Sequence, residues 1–262
     1  MAIVTISRGS YTKSKEVAEA VAEKLGYRCI DRDVLIDASK KFNIPEIKLI
    51  RAIHDAPSIF DRLSYKKQDY IAYIQSALLT HLQRDNVVYH GLAGQFFVRN
   101  VPHVLKVRIV ADMEERIEQE MLRANICRSK AVHILEKDDA ERRKWGLNLY
   151  GLDPWDPNLY DMVLHIRKGA LSVDAATKLI CQTVAATPFQ TTPESQRLMD
   201  DLTLAAKVKI ALLQMAPDIE VEAKDGAVTV FTDSLYRKKE VEMRRIVEGL
   251  PQVNTLNISV NR

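Results

Sequence analysis

The sequence predicts an α/β protein, with a five-stranded parallel sheet that carries helices on both faces and a small α+β unit after it. Short apolar runs alternate with amphipathic helical segments as far as about residue 184. Strands that alternate with helices form parallel sheets through right-handed crossovers. After residue 187 the order of the segments changes to helix, two strands, helix and strand.

Five extended segments are expected to form the parallel sheet. The segment 103–110 is dense in apolar residues, which is typical of a strand buried on both faces. In chain order, the five strands are predicted near residues 2–7, 28–30, 86–90, 103–110 and 161–166.

Helices fill most of the segments between these strands. Val17, Val21, Ala22 and Leu25 recur at helical spacing before Gly26, which predicts a helix over residues 16–25. Further helical patterns cover residues 34–42, 45–53, 65–82, 112–123, 129–145 and 173–184.

Composition excludes several classes of protein. Hydrophobic residues make up 47% of the chain and charged residues 28%, values that favour neither disorder nor a membrane protein. The net charge of +3 is too small to indicate nucleic-acid binding. The three cysteines lack a CxxC pair and the six histidines lack metal-ligand spacing, so no metal site is predicted. With no secretory signal and no apolar run long enough for a transmembrane segment, a cytoplasmic location is expected.

A change of texture marks the predicted domain boundary. Residues 187–193 hold two prolines and three threonines without periodicity. We therefore predict a first domain over 1–186, an exposed linker over 187–194 and a second domain over 195–262.

A phosphate-binding loop is the first candidate site, between the first strand and the first helix. Gly9 and Lys15 have the spacing of the first glycine and the lysine in GxxxxGK[ST], although Ser14 and Glu16 replace the second glycine and the Ser/Thr. Amide groups at a helix start attract phosphate. The alternative is an ordinary turn with a solvated basic face. The candidate phosphate-binding residues are Arg8, Gly9, Ser10, Thr12, Lys13, Ser14 and Lys15.

The middle of the chain supplies further charged groups. Asp139 and Arg142 lie three residues apart on one predicted helix, with Arg143 beside them. This helix is either a solvated surface helix with ion pairs or a functional lid. Residues 151–157 follow as a rigid loop with two carboxylates and one tryptophan, for which a packed surface loop is the alternative.

Together these segments resemble the cytidylate kinase-like family of P-loop kinases over roughly residues 1–184. Four of the matching positions are Asp31 after the second strand, Gly91 after the third, and Asp139 and Arg142 in the lid-like helix. The remaining matches are Ile6-Ser7-Arg8, Glu16-Val17-Ala18, and the segments Trp155-Asp156-Pro157 and Tyr160-Asp161-Met162-Val163-Leu164, which are similar to the family's WxDP and YD patterns.

This resemblance implies a nucleoside monophosphate kinase fold and transfer of a phosphoryl group from ATP, with Mg²⁺, to a CMP-like acceptor. It places Lys13, Lys15 and Arg142 in catalytic roles, and residues 8–15 around the donor phosphates. The implied acceptor and lid residues are Asp31, Arg123, Asp139, Arg142, Arg143 and Asp161.

Two departures from the family pattern leave the activity open. Residues 11–14 replace a glycine-rich loop, and Leu92 stands where the family's GRG motif has its arginine. Side chains in the loop would crowd the approach of phosphate, and leucine cannot neutralise it. The alternatives are therefore a kinase, a catalytically impaired pseudokinase that senses a nucleotide or another ligand, and a structural scaffold.

The C-terminal segment resembles a BON domain, a small αββαβ module. Asp225-Gly226 is a hairpin signal within it, and the matching segments are 202–213, 219–232 and 253–260. The resemblance implies a partner that is a membrane surface, a lipid or another protein, and we favour a ligand-sensing or interaction role. The alternative is an appendage that only supports formation of a homo-oligomer.

Overall fold

A computed structural model of the chain describes residues 2–8, 11–31, 33–54 and 66–261. These residues fall into two compact units. Unit 1 comprises Met1–Asp33, Ile53–Pro57 and Arg84–Thr191. Unit 2 comprises Val34–Ala52, Ser58–Gln83 and Thr192–Arg262.

Unit 1 contains a five-stranded sheet in the order β2-β3-β1-β4-β5, and every strand pair in it is parallel. The strands are β1 (Ile3–Arg8), β2 (Arg28–Ile30), β3 (Val87–His90), β4 (Val104–Ala111) and β5 (Met162–Ile166). Each begins within one residue of its predicted position, so the predicted α/β fold with a parallel sheet is confirmed.

Helices and 3₁₀ turns connect these strands. Within unit 1 they are α1 (Tyr11–Leu25), α5 (Gly94–Phe97), α6 (Met113–Ala124), α7 (Arg128–Tyr150) and α8 (Val173–Val184), with 3₁₀ turns at Pro157–Leu159 and Thr187–Phe189. Helices α1 and α8 pack together, and their apolar side chains join those of β1 and β4 in one buried core. This core holds the sheet in place and leaves the carboxyl ends of the strands for a site.

Helix α1 begins earlier than the sequence predicted. The expected start was Glu16, after a loop that would reach Lys15, but the helix starts at Tyr11. The segment 11–15 contains no glycine to favour an irregular loop, and its residues all have ordinary helix propensity. The ion pairs Lys13 to Glu16 at 3.6 Å and Lys15 to Glu19 at 3.7 Å support the first turns of the helix.

Strand order places the natural site of an α/β sheet at the end of β1. Strand β1 pairs with β3 on one side and with β4 on the other. The chain therefore leaves the sheet in opposite directions around β1, and ligands bind at such a switch point outside the carboxyl ends of the strands. Ser7, at the end of β1, and Arg108, on β4, are register partners at this position.

Unit 2 combines helices from the first third of the chain with the C-terminal segment. Its elements are α2 (Asp33–Phe42), α3 (Glu46–His54), α4 (Lys66–Leu82), α9 (Pro193–Leu212), β6 (Glu220–Lys224), β7 (Ala227–Asp233), a 3₁₀ turn at Ser234–Lys239, α10 (Glu240–Glu248) and β8 (Thr255–Asn261). Strands β6 and β7 are antiparallel, and β7 and β8 are parallel. Asp225 and Gly226 both have positive φ and form the predicted two-residue hairpin turn.

The grouping of α4 with α9 differs from the predicted division at residue 186. The amide of Gln83, just after α4, donates to Asp200 at 2.6 Å, and Gln196 donates to the Gln83 carbonyl at 3.3 Å. Leu78 and Leu82 of α4 are fully buried. An apolar helix face needs a covering element, and α9 contacts α4 although it lies more than a hundred residues away in sequence.

The predicted linker contains the boundary between the units, which falls after Thr191. Residues 185–188 and 192–194 are exposed. The Thr191 hydroxyl nevertheless donates to the Asp85 carboxylate at 2.6 Å, which ties this residue to unit 1. Within the described ranges, no helix is both long and apolar enough to cross a membrane.

Candidate functional site

The connection from β1 to α1 is the predicted donor-phosphate loop. Arg8 ends β1 and Tyr11 begins α1, so two residues separate strand and helix. Those two residues, Gly9 and Ser10, lie outside the described part of the chain, as do the side chains of Arg8 and Thr12. The segment that would have to wrap around a phosphate is therefore mostly helical.

The two lysines of this segment project in different directions. Residues two apart on an α-helix are separated by about 200° around the axis. Lys13 lines a cavity of about 360 Å³ together with Arg167 and Lys168. Lys15 instead lies close enough to Cys29 to affect its pKa. Burial raises the pKa of Cys29 to about 11, and the positive charge of Lys15 opposes this rise. The two side chains consequently do not converge on one anion.

The fit of magnesium and ATP to this segment is poor. Ser14 is fully buried, and its hydroxyl has no hydrogen-bond partner among the described residues. Glu16 occupies the position of the P-loop Ser/Thr that would contact Mg²⁺. The described residues also include no cluster of three or more His, Cys, Asp or Glu side chains that could hold a metal ion. The segment thus departs from the GxxxxGK[ST] pattern at the second glycine and at the Ser/Thr that would contact Mg²⁺.

A second region of unit 1 gathers arginines around a cavity of about 250 Å³. We call it the arginine pocket, and its lining residues are Arg108, Val110, Arg116, Asp139, Arg142, Pro154 and Trp155. Three guanidinium groups face one carboxylate in this lining. Arg142 also pairs with Asp138 on its own helix at 3.6 Å, so the three arginines have two carboxylate partners among the described residues and keep one positive charge in excess, which suits an anionic ligand.

Arg116 and Asp139 form the buried wall of the pocket. Arg116 Nη1 and Nη2 donate to the two carboxylate oxygens of Asp139 at 2.7 and 2.9 Å. The two side chains are only 10% and 16% exposed. This bidentate pair joins α6 to α7 and fixes the orientation of both side chains.

Arg108 reaches the pocket from β4, and no carboxylate among the described residues is in hydrogen-bond contact with it. Its Nη1 donates to the Pro154 carbonyl at 3.0 Å, and its guanidinium lies 5.8 Å from the centre of the Tyr160 ring. Burial lowers the pKa of Arg108, partly offset by Tyr160 and Asp139. An arginine still remains charged in a protein, so Arg108 is a partly buried cation that an anion in the pocket would stabilise.

The loop after α7 is held rigidly against the pocket. The Tyr160 hydroxyl donates to the same Pro154 carbonyl at 2.8 Å, and Asp156 accepts from the Asn158 amide at 2.9 Å. Gly146 of α7 allows close approach, because a Cβ there would lie 2.8 Å from both the Leu152 oxygen and Pro154 Cδ. The loop thus depends on a glycine near the C-terminal end of α7.

Aromatic packing anchors α7 to the sheet side of unit 1. Phe96 of α5 stacks on Tyr150 with ring centres 4.9 Å apart, and Trp145 lies 5.6 Å from Tyr150. Burial raises the pKa of Tyr150, so its phenol stays neutral. Phe96 of this cluster also packs against Gly146, so the C-terminal part of α7 is well packed.

The structure brings only some of the predicted acceptor and lid residues to the pocket. Arg142 and Asp139 line it, and Arg143 lies at its rim over the Trp155 ring at 5.1 Å. Arg123 instead pairs with Glu120 at 2.7 Å on the same helix.

Two other predicted residues lie at different ends of the sheet. Asp161 accepts from the Lys106 amide at 2.8 Å, before the start of β5, and so stabilises the pairing of β4 with β5. Asp31 follows β2, with its carboxylate 3.8 Å from Nδ1 of the buried His90. Neither is among the residues that line the arginine pocket.

The region of Leu92 is shaped by a tyrosine. The Tyr89 hydroxyl donates to the Leu92 carbonyl at 2.9 Å. A Cβ on Gly91 would lie 2.4 Å from that hydroxyl, so the turn requires glycine at this position. Gly91 is thus packed closely against Tyr89, and the described contact of Leu92 is its carbonyl with the Tyr89 hydroxyl.

Sequence reasoning did not select Arg108 or Arg116 as site residues, and it identified Trp155 only within the rigid loop and the WxDP match. Arg108 had a usable signal, because it is a cation inside the apolar run of β4 near the carboxyl end of the strand. Arg116 is four residues beyond Asp112, the N-cap of α6. No pattern within α6 distinguishes it from an ordinary surface arginine.

Comparison with known proteins gives the family. The profile of the cytidylate kinase-like family matches residues 3–168, more than half of the chain. A cytidylate kinase of Pyrococcus horikoshii is 28% identical over 171 residues, which covers 63% of this chain and 80% of that protein. The crystal structure of an uncharacterized protein from Eubacterium ventriosum shares the fold, with a TM-score of 0.52 and 17% identity over 71% of this chain and 99% of that one. The chain belongs to the cytidylate kinase-like family.

Proposed function

We propose that this protein binds a nucleoside monophosphate, or a similar small molecule with a phosphate group, in the arginine pocket, and that its transfer of a phosphoryl group from ATP is impaired. One observation carries the proposal. Three guanidinium groups line the arginine pocket, and one of them, Arg108, hydrogen-bonds to a carbonyl and to no carboxylate among the described residues, whereas both lysines of the predicted ATP loop pair with glutamates of their own helix.

Phosphate recognition follows from the chemistry of the pocket. Guanidinium groups match phosphate oxygens with paired hydrogen bonds, and each charge-assisted bond is worth about 1.5–3 kcal/mol. Arg116 is already oriented by Asp139, and Arg108 by the Pro154 carbonyl. Because these two arginines are already ordered, they lose little further conformational freedom when a ligand binds.

The impaired phosphoryl transfer is inferred from the segment at the start of α1, which was predicted to bind ATP. Phosphoryl transfer depends almost entirely on positioning of the phosphates and on neutralisation of their charge. Helix α1 occupies the segment that would form the cradle, and Lys13 and Lys15 point to different sides of that helix. A donor bound at this segment would have at most one of these two lysines beside its phosphates.

Calorimetry on the full chain tests this function. CMP, other nucleoside monophosphates and ATP with Mg²⁺ are titrated in turn, and formation of the diphosphate product is followed in parallel. We expect a monophosphate to bind with little or no product. Arg108→Ala should weaken that binding about tenfold or more. The exposed Arg128, at the start of α7, gives the matched control Arg128→Ala. Absence of binding by every nucleotide would contradict the proposal.

A second candidate function is an active nucleoside monophosphate kinase. The cavity of about 360 Å³ beside Lys13 favours it, because that cavity has room for part of a donor nucleotide in the same unit as the arginine pocket. Under this alternative, product forms from CMP and ATP in a single turnover, and Lys13→Ala abolishes it. Product formation by the wild-type chain that Lys13→Ala removes would therefore replace the first proposal.

For the C-terminal segment we propose a BON-like interaction module with a protein partner. The αββαβ order of α9, β6, β7, α10 and β8 supports this proposal. Sedimentation with vesicles of phosphatidylglycerol separates it from a lipid-binding role. The protein role predicts no vesicle-bound fraction, and co-sedimentation of the chain would favour the lipid role.

A further inference from the structure

The two tryptophans of the chain have different surroundings. Trp145 is 4% exposed and packs within the aromatic cluster that anchors α7. Trp155 is 43% exposed and forms part of the wall of the arginine pocket. Trp155 therefore presents accessible ring surface in the wall of the arginine pocket, next to its guanidinium groups.

A single carboxylate holds Trp155 in place. One oxygen of Asp153 accepts from the Trp155 amide at 2.9 Å. The other accepts from Arg143 at 2.8 Å, and that arginine lies over the Trp155 ring, 5.1 Å from the ring centre. Asp153 therefore orders both the backbone of Trp155 and the cation that packs on its ring.

The prolines on either side restrict the same loop. Pro154 and Pro157 fix φ on both sides of Trp155. The carbonyl of Pro154 accepts hydrogen bonds from both Arg108 and Tyr160. Trp155 is thus carried on a rigid loop rather than a mobile one, and its ring loses little freedom when a ligand packs against it.

We infer that Trp155 is the stacking surface for the planar base of the ligand bound in the arginine pocket, an inference that rests on the proposed function. The arginines recognise the phosphate, and the indole recognises a flat ring attached to it. Stacking on an aromatic side chain tolerates every base, because each base has a π face. The ligand class is therefore a base-bearing monophosphate, not inorganic phosphate or a sugar phosphate.

This assignment has a specific energetic consequence. Stacking of one base on an aromatic ring is worth about 1–3 kcal/mol, which corresponds to about 5- to 150-fold in affinity. CMP should bind more tightly than ribose 5-phosphate by a factor in that range. Trp155→Leu should remove the difference, because it takes away the ring and leaves the arginines in place.

The fluorescence of the chain reports the stacking directly. With Trp145→Phe, Trp155 is the only tryptophan, since the chain contains two. Phenylalanine keeps an aromatic ring in the buried cluster, and calorimetry checks that this variant binds CMP as the wild type does. We expect CMP to quench Trp155 emission, and ribose 5-phosphate to bind with little quenching.

The outcomes separate this inference from the function on which it rests. If neither CMP, ribose 5-phosphate nor inorganic phosphate binds, the arginine pocket is not a phosphate site and the proposed function fails. If CMP and ribose 5-phosphate bind equally, and Trp155→Leu leaves both affinities unchanged, the pocket binds phosphate and the stacking assignment is wrong. Trp155→Phe should retain most of the preference for CMP, which a purely structural role of Trp155 would not predict.

Discussion

Strands β1 and β4 are neighbours in one parallel sheet, but the side chains beyond their ends differ in charge and pairing. At the end of β1, the predicted phosphate loop has become the first turn of α1, and its lysines pair with Glu16 and Glu19. Beyond β4, the side chains of Arg108, Arg116 and Arg142 line one cavity together with the Asp139 carboxylate. The same fold therefore carries one region whose described lysines pair with glutamates and one region where three arginines line a cavity, and we propose the second as the anion site.

The difference shows that a fold and a site are specified by different residues. The apolar residues that set the sheet and pack α1 are present, so the fold is retained. The loop function depends on glycines that give φ freedom and close approach, and residues 11–14 lack them. Family membership consequently supports the architecture more strongly than it supports the reaction.

The largest effect is expected from the pair that forms the pocket wall. Asp139→Ala leaves Arg116 buried without its carboxylate, which should lower the free energy of unfolding by about 3 kcal/mol. Urea denaturation followed by circular dichroism measures this loss. Glu114→Ala is the control, because it removes the carboxylate partner of the exposed Arg128. Equal losses in both variants would show that the Arg116 to Asp139 pair has no special role.

A smaller loss is expected where α7 meets the loop after it. Gly146→Ala places a Cβ 2.8 Å from Pro154 Cδ and from a backbone oxygen, so the loop must move. We expect a cost of about 1–3 kcal/mol and weaker CMP binding, since Pro154 and Trp155 line the pocket.

The matched control for that variant is Gly249→Ala in unit 2. A Cβ at Gly249 would meet only backbone oxygens at 3.4 and 3.5 Å. Its unfolding midpoint should change little. If Gly146→Ala is equally harmless, the close packing of the loop on α7 does not control the pocket.

A smaller, pH-dependent change in the free energy of unfolding is expected from His103, which is not among the residues that line the arginine pocket. His103 is fully buried with Asp85 4.0 Å away, and burial lowers its pKa from the usual 6.5, an effect that Asp85 opposes. Below about pH 6.5 the unfolded chain therefore binds this proton more readily than the folded one. Stability should rise with pH through this window and fall as the pH drops.

Urea midpoints at pH 7.5 and pH 5.5 test this dependence. His103→Gln should flatten the difference between the two midpoints, whatever its effect at either pH alone. CMP affinity measured over the same range should not follow the His103 titration, because His103 does not line the arginine pocket. Identical slopes for variant and wild type would contradict the assignment.

Local patterns predicted the fold well, because its determinants lie close together in sequence. The apolar run of β4, the spacing of Val17 and Val21 in α1 and the Asp225-Gly226 turn each indicate a structure on their own. The grouping of α4 with α9 could not be predicted this way. It depends on contacts between segments that no local pattern connects.

The candidate site was predictable only in part, for the same reason. Asp139 and Arg142 share a helix face and could be selected together, but the partner of Asp139 is Arg116, 23 residues earlier. Lys15 was selected for its spacing from Gly9, and Lys13 for its positive charge next to the expected helix start. The early start of α1 separates them in space, and no glycine pattern marked that start.

The comparison between the two regions is tested most directly by calorimetric CMP titration of two variants. Arg142→Ala removes a lining cation of the arginine pocket, and Lys15→Ala removes the lysine at the P-loop position. The account predicts that Arg142→Ala weakens CMP binding about tenfold or more, while Lys15→Ala changes it less than about twofold. Loss of binding in Lys15→Ala, with Arg142→Ala unaffected, would contradict the account and return the phosphate site to the end of β1.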